Sequence, residues 1–284
     1  MTNAPPVILG GLPRSGSTLL SALLRQNPVV DVTPTGFLLG LVQGMVNQYT
    51  ASDARKAWLD ADEARDRLHS AIAGAVHGYL NRGAIAIDKE RGALANFELL
   101  ERALGEPPRV IVPVRDLRGC VASMEKLWRS NPEFAGHGAN HIAQRLDRWL
   151  AQDSPPLGAM LAQLGDAWVR GVVGRCLVVR YEDLARQPMQ ELERVYQFLG
   201  YELPAGVHDP NEVADERREH DAIHGPFGDH EIRSAAVHAP PEDWNAVLGE
   251  PLARAIVQRN EWYYRAFYPE RLPGVEADAT ERAS

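Results

Sequence analysis

Residues 10–20 read GGLPRSGSTLL, and the fold is decided here. Ahead of this stretch, residues 7–11 (VILGG) form a short apolar run that reads as a buried strand ending in two glycines. Behind it, residues 17–26 put Leu19, Leu20, Leu23 and Leu24 on one face of a helix. Strand, glycine turn and helix in that order open an α/β domain. Gly11 and Gly16 have the spacing of the two glycines in the phosphate loop G-x-x-x-x-G-K-[ST], in the strand-to-helix context which that motif requires. Successive backbone N–H groups and the positive end of a helix cradle an anion in such a turn. Ser17 stands where a nucleotide triphosphatase has its Lys. The cation is instead Arg14, inside the loop after Pro13, with hydroxyls from Ser15, Ser17 and Thr18 around it. A guanidinium there suits a terminal 5′-phosphate better than a metal-bridged β,γ pair. Asp88 and Asp116 are the only strand-end carboxylates in reach of a Mg²⁺ role.

Three further short apolar runs follow: residues 84–88 (AIAID), 109–115 (RVIVPVR) and 176–181 (CLVVRY). Each precedes a helical pattern, as in a parallel sheet buried on both faces. Residues 36–82 and 137–173 read as helical insertions without strand patterns. Residues 191–199 form a helix closed by Gly200. Residues 246–267 read as one C-terminal helix with Leu248, Leu252, Ile256 and Trp262 spaced for burial. The expected architecture is a P-loop-like three-layer α/β/α fold with a central parallel sheet of about four to five strands and helical insertions. Residues 206–243, rich in Pro, His, Gly and charge, read as a long irregular segment. Residues 1–268 are expected to form a single domain, and residues 269–284 a flexible acidic tail.

Composition narrows the function classes. The chain has 284 residues, 45% hydrophobic and 24% charged, with formal charge −8. These values are those of a globular protein. No apolar run approaches the roughly 20 residues that span a bilayer, and residues 7–12 are too short for a signal-peptide core. A cytoplasmic location without membrane association is the expectation. An acidic chain lacks the basic footprint of a nucleic-acid binder, so an anionic ligand needs a local cationic cluster. Cys120 and Cys176 read as two core thiols. The pairs His137/His141 and His220/His224 have chelating spacing, but nearby Gly136, Gly138 and Pro226 interrupt helix, and no metal is expected. The sequence carries no signal for an oligomeric state.

The stretch GLPRSGSTLL resembles the 5′-phosphosulfate loop of sulfotransferases that use 3′-phosphoadenosine 5′-phosphosulfate, particularly the bacterial and tyrosylprotein-type members. Residues 112–129 (VPVRDLRGCVASMEKLWR) are similar to that family's 3′-phosphate element, which implies phosphate contacts from Arg115 and Ser123. An Arg at the carboxyl end of a parallel strand projects into the crevice where such sheets bind ligands. Ion pairs of Arg115 with Asp116, or Arg118 with Glu125, are the plain alternative. Tyrosylprotein-type members often carry an Arg where this chain has Leu127. Residues 87–92 (IDKERG) resemble the family's Lys-bearing loop, implying that Lys89 faces the bridging or sulfuryl oxygens. A positioned cation there stabilises charge building on the leaving phosphate oxygen. Residues 178–188 and 229–237 resemble the nucleotide-side junction and closing loop, implying Tyr181, Arg233 and Ser234 as further contacts. The resembling segments span residues 7–244 in the family's order.

The resemblance implies an enzyme moving a sulfuryl group to a hydroxyl, phenol or amine of a small-molecule acceptor, with Arg14 and Lys89 at the reacting centre. A protein tyrosine as acceptor, a nucleotide kinase, and a non-catalytic nucleotide-binding protein are the alternatives. In tyrosylprotein-type members a Glu follows the first helix. Here that position falls on Pro34 or Thr35, which leaves Glu90, Asp31, His224 and His230 as candidate bases. Residues 35–48 and the late His-rich segment are the expected acceptor wall, with Phe37, Leu38, Met45 and Tyr49 either lining it or packing the core.

Overall fold

The computed structural model describes residues 6–80, 83–131, 141–213, 237 and 244–272. In chain order these form β1 (Val7–Leu9), α1 (Ser17–Arg25), β2 (Val30–Val32), α2 (Leu38–Ala51), α3 (Asp53–Lys56), α4 (Ala61–Leu80), β3 (Ile85–Asp88), α5 (Phe97–Leu104) and β4 (Arg109–Val114). Then come α6 (Leu117–Ser130), α7 (Ile142–Trp149), α8 (Gly158–Val169), β5 (Leu177–Arg180), α9 (Tyr181–Arg186), α10 (Pro188–Leu199), α11 (Trp244–Leu248), α12 (Glu250–Arg259) and α13 (Glu261–Phe267).

The five strands form one parallel sheet in the order β2-β3-β1-β4-β5. Alternation along the strands divides the core into two layers, because successive side chains leave opposite faces. Ile8, Val110, Val112 and Val114 face one cluster with α2, α4, α5, α6 and the C-terminal helices. Val7, Leu9, Ile85, Ile87, Ile111 and Val179 face the other, against α1, α9 and α10. This is the expected three-layer α/β/α arrangement. With β1 between β3 and β4, the loops that leave these three strands emerge side by side at the carboxyl edge, where open α/β sheets hold ligands.

Three sequence readings change. The four apolar runs are all strands, but β2, the fifth, went unread: three residues (VDV) are too few to show a period. The single C-terminal helix is three. Gly249, with φ 73°, and Pro251 separate α11 from α12, and Asn260 leaves helical geometry between α12 and α13. The turn rotates the apolar face, so Tyr263, Tyr264 and Phe267 are buried while Leu252 and Trp262 are only partly so. Packing also continues past residue 268. Pro269–Arg271 make a further turn, and Arg271 Nη1 donates to Asp116 Oδ2 at 2.5 Å. Residues 206–213 are irregular as expected, and most of the remaining segment to 243 lies outside the described residues. Among the described residues no helix is long and apolar enough to cross a membrane.

Candidate active site

The loop after β1 is shaped by close backbone approach. A Cβ on Gly10 would stand 2.5 Å from the Glu90 carbonyl oxygen, and one on Gly11 2.4 Å from that of Pro113, so only glycine lets the turn run against β3 and β4. The chain then passes through two left-handed residues, Arg14 (φ 61°) and Gly16 (φ 91°), on either side of Ser15. Buried Pro13 supports the bend. The Ser15 hydroxyl is buried and donates to the Leu12 carbonyl at 2.5 Å, which ties the loop together. Gly16 precedes α1 without a capping side chain, and the half-buried Ser17 and Thr18 occupy the helix's first turn. Orphan N–H groups at such a terminus favour an anion.

Side chains from α6 and from two other strand ends gather on this loop. Arg14 Nε donates to Ser123 Oγ on α6 at 3.1 Å. Arg115, just past β4, donates from Nη1 to the Arg14 carbonyl at 3.2 Å and lies 4.3 Å over the Tyr181 ring. Tyr181 begins α9 directly after β5, and a Cβ on Gly16 would meet its ring at 2.5 Å. Gly119 makes room on α6 for the Arg115 guanidinium, whose Nε would be 2.8 Å from a Cβ there. Arg14, Gly16, Arg115, Ser123 and Tyr181, read from three separate segments, thus form one contiguous cluster. Lys89 directly follows the neighbouring strand β3. It is half-buried, its N–H donates to Thr33 Oγ1 at 2.9 Å, and its carbonyl accepts from the Gly36 N–H at 2.8 Å. Arg233 and Ser234 lie outside the described residues.

The two strand-end carboxylates are engaged elsewhere. Asp116 caps α6 and accepts from Arg118, Arg271 and Tyr264. Burial alone would raise its pKa, but the Arg118 hydrogen bonds and charge, with Arg271 and Tyr264, hold the carboxyl below its ordinary value. Arg118 therefore pairs with Asp116, whereas Glu125 is buried between Arg145 and Arg129. Leu127, where tyrosylprotein-type members often have Arg, packs in the core. Asp88 is enclosed by Thr33, Tyr79 and the Leu38 N–H. Burial pushes its pKa up, and those hydrogen bonds only partly offset it.

Among the candidate bases, Glu90 turns back to accept from the Gly92 N–H at 3.2 Å, and Asp31 lies on the edge strand β2. His224 and His230 lie outside the described residues, as do His137 and His220. Among the described residues no group of three His, Cys, Asp or Glu could hold a metal ion. Burial lifts the thiols of Cys120 and Cys176 to about 12. The acceptor-wall residues divide. Leu38 is fully buried and Met45 packs on the core, whereas Phe37 is 60% exposed with its ring 4.5 Å from that of Tyr79. Sequence reasoning passed over Tyr79 and Thr33 because each is an ordinary polar residue, in a helix and a loop respectively; only the fold sets them beside Asp88.

Residues 5–205 match the model of the family described as the sulfotransferase family. Carbohydrate sulfotransferase 1 of Danio rerio is 36% identical over 129 residues, covering 38% of this chain and 27% of the relative. Protein-tyrosine sulfotransferase 2 of Gallus gallus is 27% identical over 205 residues, covering 69% and 51%. The chain thus spans from about a quarter to half the length of these curated relatives. The crystal structure of mouse sulfotransferase SULT7A1 complexed with PAP shares the fold: TM-score 0.57 and 13% identity, covering 94% of this chain and 86% of that one. With the family match running from before β1 to beyond α10, the chain belongs to the sulfotransferase family.

Proposed function

We propose that the protein transfers a sulfuryl group from 3′-phosphoadenosine 5′-phosphosulfate to a hydroxyl, phenol or amine of a small-molecule acceptor, releasing adenosine 3′,5′-bisphosphate. The observation that carries this reading is the meeting of Arg14 and Arg115 over a glycine loop that has Ser17 in place of the triphosphatase Lys. The loop N–H groups, Arg14, Ser17 and Thr18 receive the 5′-phosphate, with Ser15 and Gly16 setting the loop's shape. Arg115 and Ser123 receive the 3′-phosphate beside Tyr181, and Arg233 and Ser234 are assigned to the same nucleotide by resemblance. Lys89 supplies the cation for the leaving phosphate oxygen. No metal enters this chemistry: a preorganised cation beside the breaking bond lowers the barrier by stabilising charge present only in the transition state.

Two features weigh against a magnesium-dependent kinase. Asp116 is neutralised by two arginines, and Asp88 is closed in by hydroxyls and an amide. Similarity to a protein-tyrosine sulfotransferase over 69% of the chain favours a second acceptor reading, a peptide tyrosine, which is also a phenol. A cytoplasmic location belongs to the same reading. Incubating the protein with labelled donor and small-molecule fractions, then tyrosine peptides, tests it by mass spectrometry. A sulfuryl mass increment on a small molecule supports the first reading, and one confined to peptides selects the second. Donor turnover unchanged in Lys89→Ala removes Lys89 from the leaving-group role.

A further inference from the structure

An acceptor hydroxyl must release its proton as its oxygen bonds to sulfur, and the strand end beside Lys89 holds a built path for it. Asp88 ends β3 and is fully buried. Its Oδ1 accepts from Tyr79 Oη at 2.6 Å and Thr33 Oγ1 at 3.0 Å, and its Oδ2 from the Leu38 N–H at 3.2 Å. Gly36 provides the space: a Cβ there would sit 2.3 Å from Oδ2. These donors are neutral. They orient the carboxylate without cancelling its charge, and desolvation raises its proton affinity.

Tyr79 links this buried group to the open side. Its ring packs on exposed Phe37, and a phenol has one hydrogen and two lone-pair positions. The hydrogen goes to Asp88, the Phe37 N–H points at the oxygen from 3.4 Å, and a further lone-pair position suits an incoming hydroxyl. We propose that Tyr79 takes the acceptor's proton while passing its own to Asp88. The acceptor oxygen–sulfur bond forms as the bond from sulfur to the 5′-phosphate oxygen breaks, and that electron pair stays on the phosphate. Tyr79 ends as a neutral phenol and Asp88 as a carboxylic acid, which later returns its proton to solvent. Thr33 ties this anchor to the Lys89 backbone, since it donates to Asp88 while accepting from the Lys89 main-chain N–H. The relay rests on the sulfuryl-transfer reading.

The test uses Tyr79→Phe, which keeps the ring on Phe37, and Asp88→Asn. Calorimetry with adenosine 3′,5′-bisphosphate comes first. Both variants should bind within about twofold of wild type, since the hydrogen bonds described for the relay run among Thr33, Phe37, Leu38, Tyr79 and Asp88 and those of Arg14 and Arg115 to other groups. Failure of the wild type to bind would overturn the donor reading itself. Rates are then compared at about pH 8 for phenol, which keeps its proton, and 4-nitrophenol, which is largely ionised. Tyr79→Phe should slow transfer to phenol by about 100-fold and to 4-nitrophenol by less than about threefold, because general-base help is worth about that factor only where a proton must leave. Equal losses on the two phenols would overturn the relay and leave Tyr79 a packing role. If neither phenol accepts, donor hydrolysis by water replaces them: a comparable fall supports the relay and an unchanged rate overturns it. If Asp88→Asn does not fold, Tyr79→Phe decides alone.

Discussion

Replacing Gly16 by Ala should damage the loop through two separable effects. The first is backbone strain. Gly16 sits at φ 91°, and a left-handed conformation costs a residue with a Cβ about 1–2 kcal/mol. The second is steric. The new methyl would stand 2.5 Å from Tyr181 Cδ2, against the ~3.5 Å or more of an ordinary contact, so the ring must retreat by about 1 Å. That ring also carries the Arg115 guanidinium at 4.3 Å, and overpacking of this kind costs about 1–3 kcal/mol. Together they predict a loss of ~2–5 kcal/mol, a drop in Tm of roughly 4–20 °C for a domain of this size. Thermal unfolding followed by circular dichroism reads it. Repeating the substitution in a Tyr181→Ala background separates the terms: with the ring gone, only the strain of about 1–2 kcal/mol should remain. The same loss in both backgrounds, or an unchanged Tm in the single variant, would refute the packing of Tyr181 on the loop.

Arg115→Ala should weaken adenosine 3′,5′-bisphosphate about 10- to 150-fold, the worth of a hydrogen bond to a charged group, and adenosine 5′-phosphate less than about threefold; similar losses in calorimetry would remove Arg115 from the 3′-phosphate. Asp116→Asn leaves the Arg118 and Arg271 guanidinium groups facing a neutral amide and should cost about 3–5 kcal/mol in denaturant unfolding. Because the folded Asp116 carboxyl lies below its ordinary 3.8, the stability it confers is present above that pH and is lost as pH falls through the lower folded value. The Asn variant should therefore show a shallower acid limb below about pH 4 than wild type, and parallel limbs would contradict this. Ser15→Ala removes a buried bond to the Leu12 carbonyl and should cost ~1 kcal/mol of stability. Ser17→Ala should leave Tm nearly unchanged and weaken the bisphosphate; the reverse pattern would exchange the two roles.

Much of this was legible in the sequence because the informative residues sit at strand ends. A glycine loop between an apolar triplet and a leucine-faced helix can be read locally, and Arg115 and Tyr181 each follow an apolar run whose carboxyl end is predictable. β2 was not legible, since VDV acquires strand character only from pairing with β3. The break at Asn260 escaped because Leu248, Leu252 and Ile256 keep a helical period up to it. The roles of Asp116 and Asp88 depend on partners far along the chain: Arg271 lies 155 residues from Asp116, and Thr33 lies 55 from Asp88. No local pattern announces such a contact. The Ser15 hydroxyl bond to the Leu12 carbonyl was not legible for a related reason, because it depends on the loop's two left-handed residues.

The most direct measurement sets adenosine 3′,5′-bisphosphate against ATP with Mg²⁺ in thermal-shift titrations of the whole chain. Binding to the folded state alone raises Tm, by about 2.7 kcal/mol of added stability at 100 times Kd. A site built on Arg14 and Arg115 for a 5′- and a 3′-phosphate should give a large shift with the bisphosphate and little with ATP and Mg²⁺. Equal stabilisation by ATP and Mg²⁺ would contradict the assignment of this loop to 3′-phosphoadenosine 5′-phosphosulfate.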